Sequence, residues 1–368
     1  MIVGYDATTL VGCTSGVGGY TRRLLDALIA STPEDDLLRL LVFSNRAVPV
    51  APEGRVEVYT RARVPFRSLW MQLELPRLLR TLRPDVVHFT NYLAPLTTEV
   101  PYVVSFHDMT LRLLPHLHTL KKRVLTASLL PRVARRARLV LTPSESSRDD
   151  VVRLLGIDAG RVRVIPYAPG EEFRAVEAPA QTLVSRGIRP PYLLHVGTLE
   201  PRKNLPRVLR AFARIAGRFP EVTFVVAGPP GWDGGAARRT AARAGLGPRI
   251  VFLGYVPESE MPRLYSHATA LVYPSLYEGF GLPVVEAMAC GAPVLSSLSS
   301  SLAEIAAGAA VLVDPQNEAA IAAAMAALLS DPALRAELRE KGRMRAASYT
   351  WRRTAEATLQ AYREAAGR

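Results

Sequence analysis

The sequence predicts an α/β protein made of two halves, each built on a parallel sheet. Three observations carry this. Short apolar runs alternate with amphipathic stretches along the whole chain, the pattern of parallel strands joined by crossover helices. A stretch from Pro166 to Pro191, rich in proline, glycine and charge and without clear period, interrupts that alternation and reads as a crossing between domains. The 368 residues, 49% of them hydrophobic, suffice to fill two cores.

In the first half, strands are expected at Ile2–Tyr5, Leu38–Phe43, Val56–Tyr59, Val86–Phe89, Tyr102–Phe106, Leu139–Thr142 and Val162–Ile165. Helices fall between them, at Tyr20–Ala30, Leu69–Leu82 and Lys121–Ala137 among others. The second half repeats the scheme, with strands at Tyr192–Val196, Thr223–Ala227, Val251–Leu253, Ala270–Tyr273, Val294–Ser296 and Ala310–Val313. From Asn317 onward the chain is rich in Ala, Leu, Arg and Glu and reads as nearly all helix.

The most informative segment runs from Ala270 to Gly291. The apolar run Ala270 to Tyr273 is stopped by Pro274, and a turn with Glu278, Gly279, Phe280 and Gly281 follows. A helix then begins near Leu282 with Pro283 in its first turn, where a missing N–H costs nothing. Backbone donors at such a start suit a phosphate or a sugar hydroxyl. Glu286 lies one turn after Leu282 on the same face, and Glu278 just before the turn. Two carboxylates flanking N–H donors suit a ligand rich in hydroxyls and phosphate, such as a nucleotide sugar. The bland alternative is a solvated Glu278 and a capping Glu286.

A second segment, His195 to Asn204, reads as a strand to Val196, then Gly197, which permits close backbone approach, and a helix starting near Asn204 as cap. Arg202 and Lys203 would project from this strand-to-helix loop at the carboxyl edge of a parallel sheet, where ligands of α/β folds bind. The alternative is a merely solvated basic loop. No Asp-x-Asp occurs in the chain and no cluster has metal-ligand spacing, so the charge of a departing nucleoside diphosphate would fall to Arg202, Lys203 and the helix start near Leu282.

Glu278 and Glu286, with Gly-Phe-Gly-Leu-Pro between them, resemble the signature of glycosyltransferase family 4, retaining transferases of the GT-B fold. The Gly197 to Asn204 segment matches that family's Gly-x-x-x-x-x-Lys-Asn pattern, and Pro166 to Phe173 resembles its domain-boundary motif, with Tyr167 where Asn is usual. The resemblance implies two Rossmann-like domains facing each other across a cleft. Residues 1–168 would bind the acceptor, residues 169–350 the nucleotide sugar, and a last helix, 351–368, would pack back on the first domain. It implies that Arg202 and Lys203 hold the donor's diphosphate, that Glu278 orients sugar hydroxyls and Glu286 binds the ribose. Phe280, Gly281 and Leu282 would line the donor, and Gly18 and Gly19 would form a first loop approaching the diphosphate. His107 and Asp108, at the carboxyl end of an apolar strand, match the family's His-Asp, where the His touches the transferred sugar; the alternative is a capping pair. His88 to Pro95 resembles a segment of the mannosyltransferase-like branch. The donor expected is a GDP- or UDP-sugar, with no cofactor and no metal. Two further readings stay open: a nucleotide-sugar epimerase or hydrolase on the same fold, and a catalytically silent scaffold.

A dinucleotide fingerprint does not fit, because its third glycine would fall at Thr21 and the second strand ends in Ser44-Asn45. The net charge of +13 admits anionic partners, but no nucleic-acid-binding motif is present. Cys13 and Cys290 are the only cysteines, no secretory signal is evident and no apolar run approaches ~20 residues. A cytoplasmic protein is expected. Lys121, Lys122, Arg123, Arg132, Arg135, Arg136 and Arg138 interleave with Leu125, Leu129, Leu130 and Val133, and Arg61, Arg63 and Arg67 with Phe66, Leu69 and Trp70. Such surfaces suit peripheral contact with anionic membrane and a lipid-linked glycan acceptor; the alternative is core leucines beneath solvated arginines.

Overall fold

The computed structural model describes residues 1–11, 16–31, 38–60, 62–64, 66–115, 120–177, 183 and 186–367, with the side chains of 120–127 left aside. Cys13, Arg61 and the side chains of Lys121, Lys122, Arg123 and Leu125 therefore lie outside the described residues. The chain divides into two units, Met1–Tyr167 together with Thr350–Arg368, and Ala168–Tyr349.

In unit 1 the strands are β1 (Ile2–Asp6), β2 (Arg39–Phe43), β3 (Val56–Tyr59), β4 (Val86–Phe89), β5 (Tyr102–Ser105), β6 (Leu139–Thr142) and β7 (Val162–Val164). Among the described residues they form one parallel sheet in the order β3-β2-β1-β4-β5-β6-β7. In unit 2, β8 (Tyr192–Val196), β9 (Thr223–Ala227), β10 (Ile250–Gly254), β11 (Ala270–Tyr273), β12 (Val294–Ser297) and β13 (Val311–Val313) form a second, in the order β10-β9-β8-β11-β12-β13. Every pair there is also parallel. The central strands β4, β5, β6, β11 and β12 are buried throughout, whereas the edge strands β3, β7, β10 and β13 are only partly so. Helices on both faces produce this gradient, and it explains why the central strands read as continuous apolar runs.

The order reverses between β1 and β4 in unit 1 and between β8 and β11 in unit 2. At such a switch point the connections leave to opposite faces and open a crevice at the carboxyl ends of the two strands. In unit 2 the sheet is covered by helices Leu205–Ala216 and Glu318–Ser330, whose Leu209, Phe212, Met325 and Leu328 pack with Leu193, Phe224 and Val272 in one core cluster. Each such buried side chain contributes roughly 2 kcal/mol of transfer free energy.

Helix Trp351–Ala365 belongs to unit 1, where Tyr362 Oη bonds to His88 Nδ1 at 2.6 Å and Thr354 Oγ1 donates to the Pro166 carbonyl at 2.7 Å.

Some expectations need correction. The single helix expected over Leu69–Leu82 is two, Arg67–Leu73 and Leu75–Leu82. Pro76 explains the break, since it lacks an N–H and its ring is tolerated only in a first turn. Gly18 and Gly19 lie in the first turn of helix Val17–Ser31 and not in a loop.

Trp70 is buried, while Phe66, Leu69 and Leu73 are 72%, 51% and 52% exposed. In helix Leu120–Arg136, Leu130 and Val133 are core residues, and Arg132, Arg135 and Arg136 are exposed with Arg138 just beyond. The solvated-face reading holds for that described part.

Candidate functional site

The switch point of unit 2 gathers residues from two strand ends. After β8 the chain passes Gly197, at φ +130°, into a tight turn at Pro201–Lys203. The neighbouring loop after β9 presses against it: a Cβ on Gly228 would lie 2.0 Å from the Gly197 carbonyl oxygen. No side chain fits between these backbones, so the turn is held from behind.

Arg202 and Lys203 do not project into solvent. Lys203 is only 6% exposed, and its ammonium donates to Glu278 Oε1 at 2.7 Å and to the Tyr273 hydroxyl. Arg202 Nη1 donates to Glu278 Oε2 at 2.6 Å, and its Nε to Glu200 Oε2 at 2.7 Å. Tyr273 Oη, at the end of β11, lies 2.9 Å from Glu278 Oε1. Glu278 thus receives a cation on each carboxylate oxygen, and two carboxylates balance two cations. The expectation that Arg202 and Lys203 project from the loop needs this amendment: both are paired within the protein.

Burial alone would raise the Glu278 pKa, but Arg202 and Lys203 overcome it and hold the carboxyl at about 2. Burial pushes Lys203 down, opposed by Glu278. A charge so enclosed survives only because it is paired and hydrogen-bonded. Asn204, expected as a helix cap, is left-handed (φ 64°) and caps nothing with its side chain. Its amide donates instead to the carbonyls of Pro274 (3.0 Å) and Pro315 (2.7 Å), tying the β8 turn to the loops after β11 and β13.

The turn before helix Leu282–Ala289 is fixed by the loop after β12. Ser300, at the unusual φ of 55°, accepts the Glu278 N–H at 3.0 Å. Ser301 Oγ donates to the carbonyls of Glu278 (2.9 Å) and Phe280 (3.0 Å). The Phe280 ring is buried, edge-on to Tyr349. Gly281 is the helix N-cap at φ +105°. A Cβ there would meet Leu302 Cδ2 at 2.5 Å, so only glycine serves. Leu282 opens the helix and Glu286, half-buried one turn on, accepts from Tyr265 Oη at 3.0 Å. Carboxylate, cations and helix start are thus brought to one edge.

At the switch point of unit 1 the two histidines are neutral. His107 follows β5; its Nε2 lies 2.8 Å from the Thr90 carbonyl and its Nδ1 2.5 Å from Tyr167 Oη. Burial lowers its pKa, so the ring is neutral. Asp108 Oδ1 accepts from the backbone N–H (2.9 Å) and hydroxyl (2.6 Å) of Thr110 at the start of helix Thr110–Leu113. Beneath them a chain runs from Tyr362 through His88 and Ser105 to Tyr20, with His88 Nε2 2.8 Å and Tyr20 Oη 3.0 Å from Ser105 Oγ. Burial takes the His88 pKa down to about 3. Cys290 is a buried free thiol whose pKa burial pushes up to about 12.

Tyr273, Ser300, Ser301, Thr90 and Tyr167 were not singled out from sequence as site residues. Tyr273 carried one signal, a polar-tipped aromatic at the last position of a buried strand, just before Pro274.

Two family models match the chain, "Glycosyl transferases group 1" over residues 185–345 and "Glycosyltransferase Family 4" over residues 14–168. The O-antigen chain mannosyltransferase B of Escherichia coli is 32% identical over 338 residues, spanning 88% of this chain and 83% of that one. Among solved structures, a sucrose-phosphate synthase from Thermosynechococcus elongatus superposes with a TM-score of 0.76 at 20% identity, over 98% of both chains. Anabaena HepE, in complex with UDP and glucose, gives 0.75 at 20% identity with the same coverage.

Proposed function

Since this chain belongs to glycosyltransferase family 4, with the GT-B fold, we propose that it moves a hexose, mannose in first place, from a nucleoside diphosphate sugar to a hydroxyl of a glycan acceptor, with retention and without a metal. The observation that carries this reading is the buried knot of Arg202, Lys203, Tyr273 and Glu278 beside the start of helix Leu282–Ala289. Mannose is favoured because the E. coli relative is a mannosyltransferase.

Donor binding is assigned to unit 2. The diphosphate takes N–H donors of Arg202, Lys203 and the helix start, as the cations turn part of their hydrogen bonding from Glu278 to phosphate oxygens. Glu278, relieved of one partner, accepts from sugar hydroxyls, and Glu286 accepts from the ribose. Acceptor binding is assigned to unit 1, at His107 and Asp108 beyond β5. As the acceptor oxygen bonds to the anomeric carbon, the sugar–phosphate bond breaks and the acceptor's proton passes to the departing phosphate oxygen. Fixed cations favour this step because negative charge grows on the phosphate as it leaves.

A thermal-shift screen over GDP- and UDP-sugars reports the donor, since a ligand that binds only the native state raises the melting temperature. Product analysis with a mannose-containing acceptor, in the presence of EDTA, then reads linkage configuration and metal dependence. Donor breakdown that ignores the acceptor would instead identify a hydrolase.

The acceptor reading includes membrane contact. Phe66, Leu69 and Leu73 lie on one face at i, i+3 and i+7, all exposed, with Arg63, Arg77 and Arg80 exposed nearby. This surface suits an anionic bilayer presenting a lipid-linked glycan. Sedimentation with anionic and neutral vesicles tests it, and equal recovery with both would remove the proposal. Among the described residues no single helix is long and apolar enough to cross a membrane. The bent pair Glu318–Ser330 with Pro332–Ala365 meets the length and composition together, but its Ile321, Met325, Leu328 and Leu338 are buried in the unit 2 core.

A further inference from the structure

We propose that Tyr167 is a positioning residue for sugar transfer: its hydroxyl holds His107 in a single neutral tautomer, protonated on Nε2, so that His107 serves as a fixed ring and not as the base for the acceptor. The inference rests on the reading of His107 as a group of the acceptor site.

A carbonyl only accepts, so the Thr90 oxygen 2.8 Å from Nε2 requires a proton on that nitrogen. In a neutral imidazole Nδ1 is then a bare lone pair, and the Tyr167 hydroxyl 2.5 Å away donates to it. Burial raises the Tyr167 pKa well above its ordinary value, so the phenol keeps the proton it donates. Both His107 nitrogens are therefore engaged. To accept a proton from a substrate hydroxyl, the ring would have to give up one of these bonds.

The lock is itself held. The Tyr167 ring stacks on Trp351 at 10° and 6.5 Å between centroids, and packs on Tyr20 at 4.6 Å. Tyr20 also meets the His107 ring edge-on at 4.9 Å. Thr354 Oγ1 fixes the preceding Pro166 carbonyl. All of these residues lie in unit 1, and the ionisable groups acting on His107 are Asp108 and His88. Of these, Asp108 is engaged by Thr110 and His88 is neutral. An aromatic ring without the hydroxyl would still stack on Trp351 and Tyr20.

The test uses the full chain labelled with 15N. Long-range 1H–15N correlations resolve the tautomers of its six histidines, with His107 assigned by His107→Gln. In the wild type at about pH 8, above the ordinary histidine pKa, His107 should show a protonated Nε2 and a bare Nδ1. Tyr167→Phe keeps the stacking and should turn this signature into a tautomer mixture. The same variant should lower kcat about tenfold, with donor KM within about twofold of wild type and the melting temperature preserved.

A protonated Nδ1 or an imidazolium in the wild type would overturn the proposal. So would a Tyr167→Phe chain with unaltered spectrum and kcat. A wild type that shows this tautomer yet transfers no sugar from any donor would sink the transferase reading and leave the lock itself standing.

Discussion

The two switch points share a topology and differ in electrostatics. In unit 2, Arg202, Lys203 and Glu278 are ions enclosed by protein, bonded to one another and to Tyr273. In unit 1, His107 and His88 are neutral rings saturated by Tyr167, Thr90, Tyr362 and Ser105. Buried ions that are already paired can exchange a partner for an incoming anion, whereas neutral saturated rings present shape and fixed dipoles. In the proposed transfer the first edge takes the leaving diphosphate and the second the acceptor hydroxyl.

The sharpest way to break this contrast is Glu278→Gln. Removing one partner of a buried ionic group costs about 3–5 kcal/mol, because a buried cation is left uncompensated. The melting temperature should fall accordingly while affinity for GDP or UDP is retained, since the cations are released toward phosphate. Calorimetry and thermal unfolding on the same preparation decide it, and loss of nucleotide affinity would show that Glu278 itself binds the nucleotide.

Next in size is Lys203→Ala. Loss of a transition-state contact to the leaving group costs ~3 kcal/mol, about a hundredfold in kcat. Wild-type turnover in this variant would place the leaving group elsewhere.

Glu286→Gln should act on binding alone, weakening GDP or UDP about tenfold in calorimetry through loss of a charge-assisted hydrogen bond to the ribose. Glu286 and Glu278 would be distinguished by this opposite pattern. Equal nucleotide affinity losses in both would mean that their roles are not divided as proposed.

The most gradual effect is on acid stability. His88 and His195 have folded pKa values of about 3 and about 4, lowered first by burial. Below the ordinary histidine pKa near 6.5 the unfolded chain binds protons that the folded one refuses. Stability is therefore complete above that pH and declines as pH falls toward these values, on the order of 1 kcal/mol per pH unit for each histidine. Glu278, held at about 2, adds a loss of the same sign below the ordinary carboxylate range. His88→Gln should flatten the descent in denaturant titrations run between about pH 4 and 7, and an unchanged slope would mean that His88 is not the group responsible.

Much of this molecule was legible from sequence because its central strands are covered on both faces and so appear as unbroken apolar runs. The edges of elements were less clear: Glu74 ends one helix and opens the next where a continuous pattern suggested one. The motif residues were legible as types, but their partners were not. Asn204 has the composition of a cap, yet its amide reaches Pro274 and Pro315, 70 and 111 residues away. Nothing in local propensity encodes a bond of that reach.

By itself the sequence determined the alternation of strands and helices, the glycines at Gly197 and Gly281 where backbone must be left-handed or closely approached, and the presence of paired cations and glutamates. Only the tertiary structure decided that Lys203 is buried, that Tyr273 bonds to it, and that Tyr167 meets His107 across 60 residues of chain. The physical reason is strand order. Period and propensity are properties of neighbours along the chain, whereas the placement of β8 beside β11 and of β5 beside β4 follows from how whole sheets bury their faces. That placement, made once for each sheet, sets which polar tips meet at the carboxyl edge and hence which of them are ions and which are neutral.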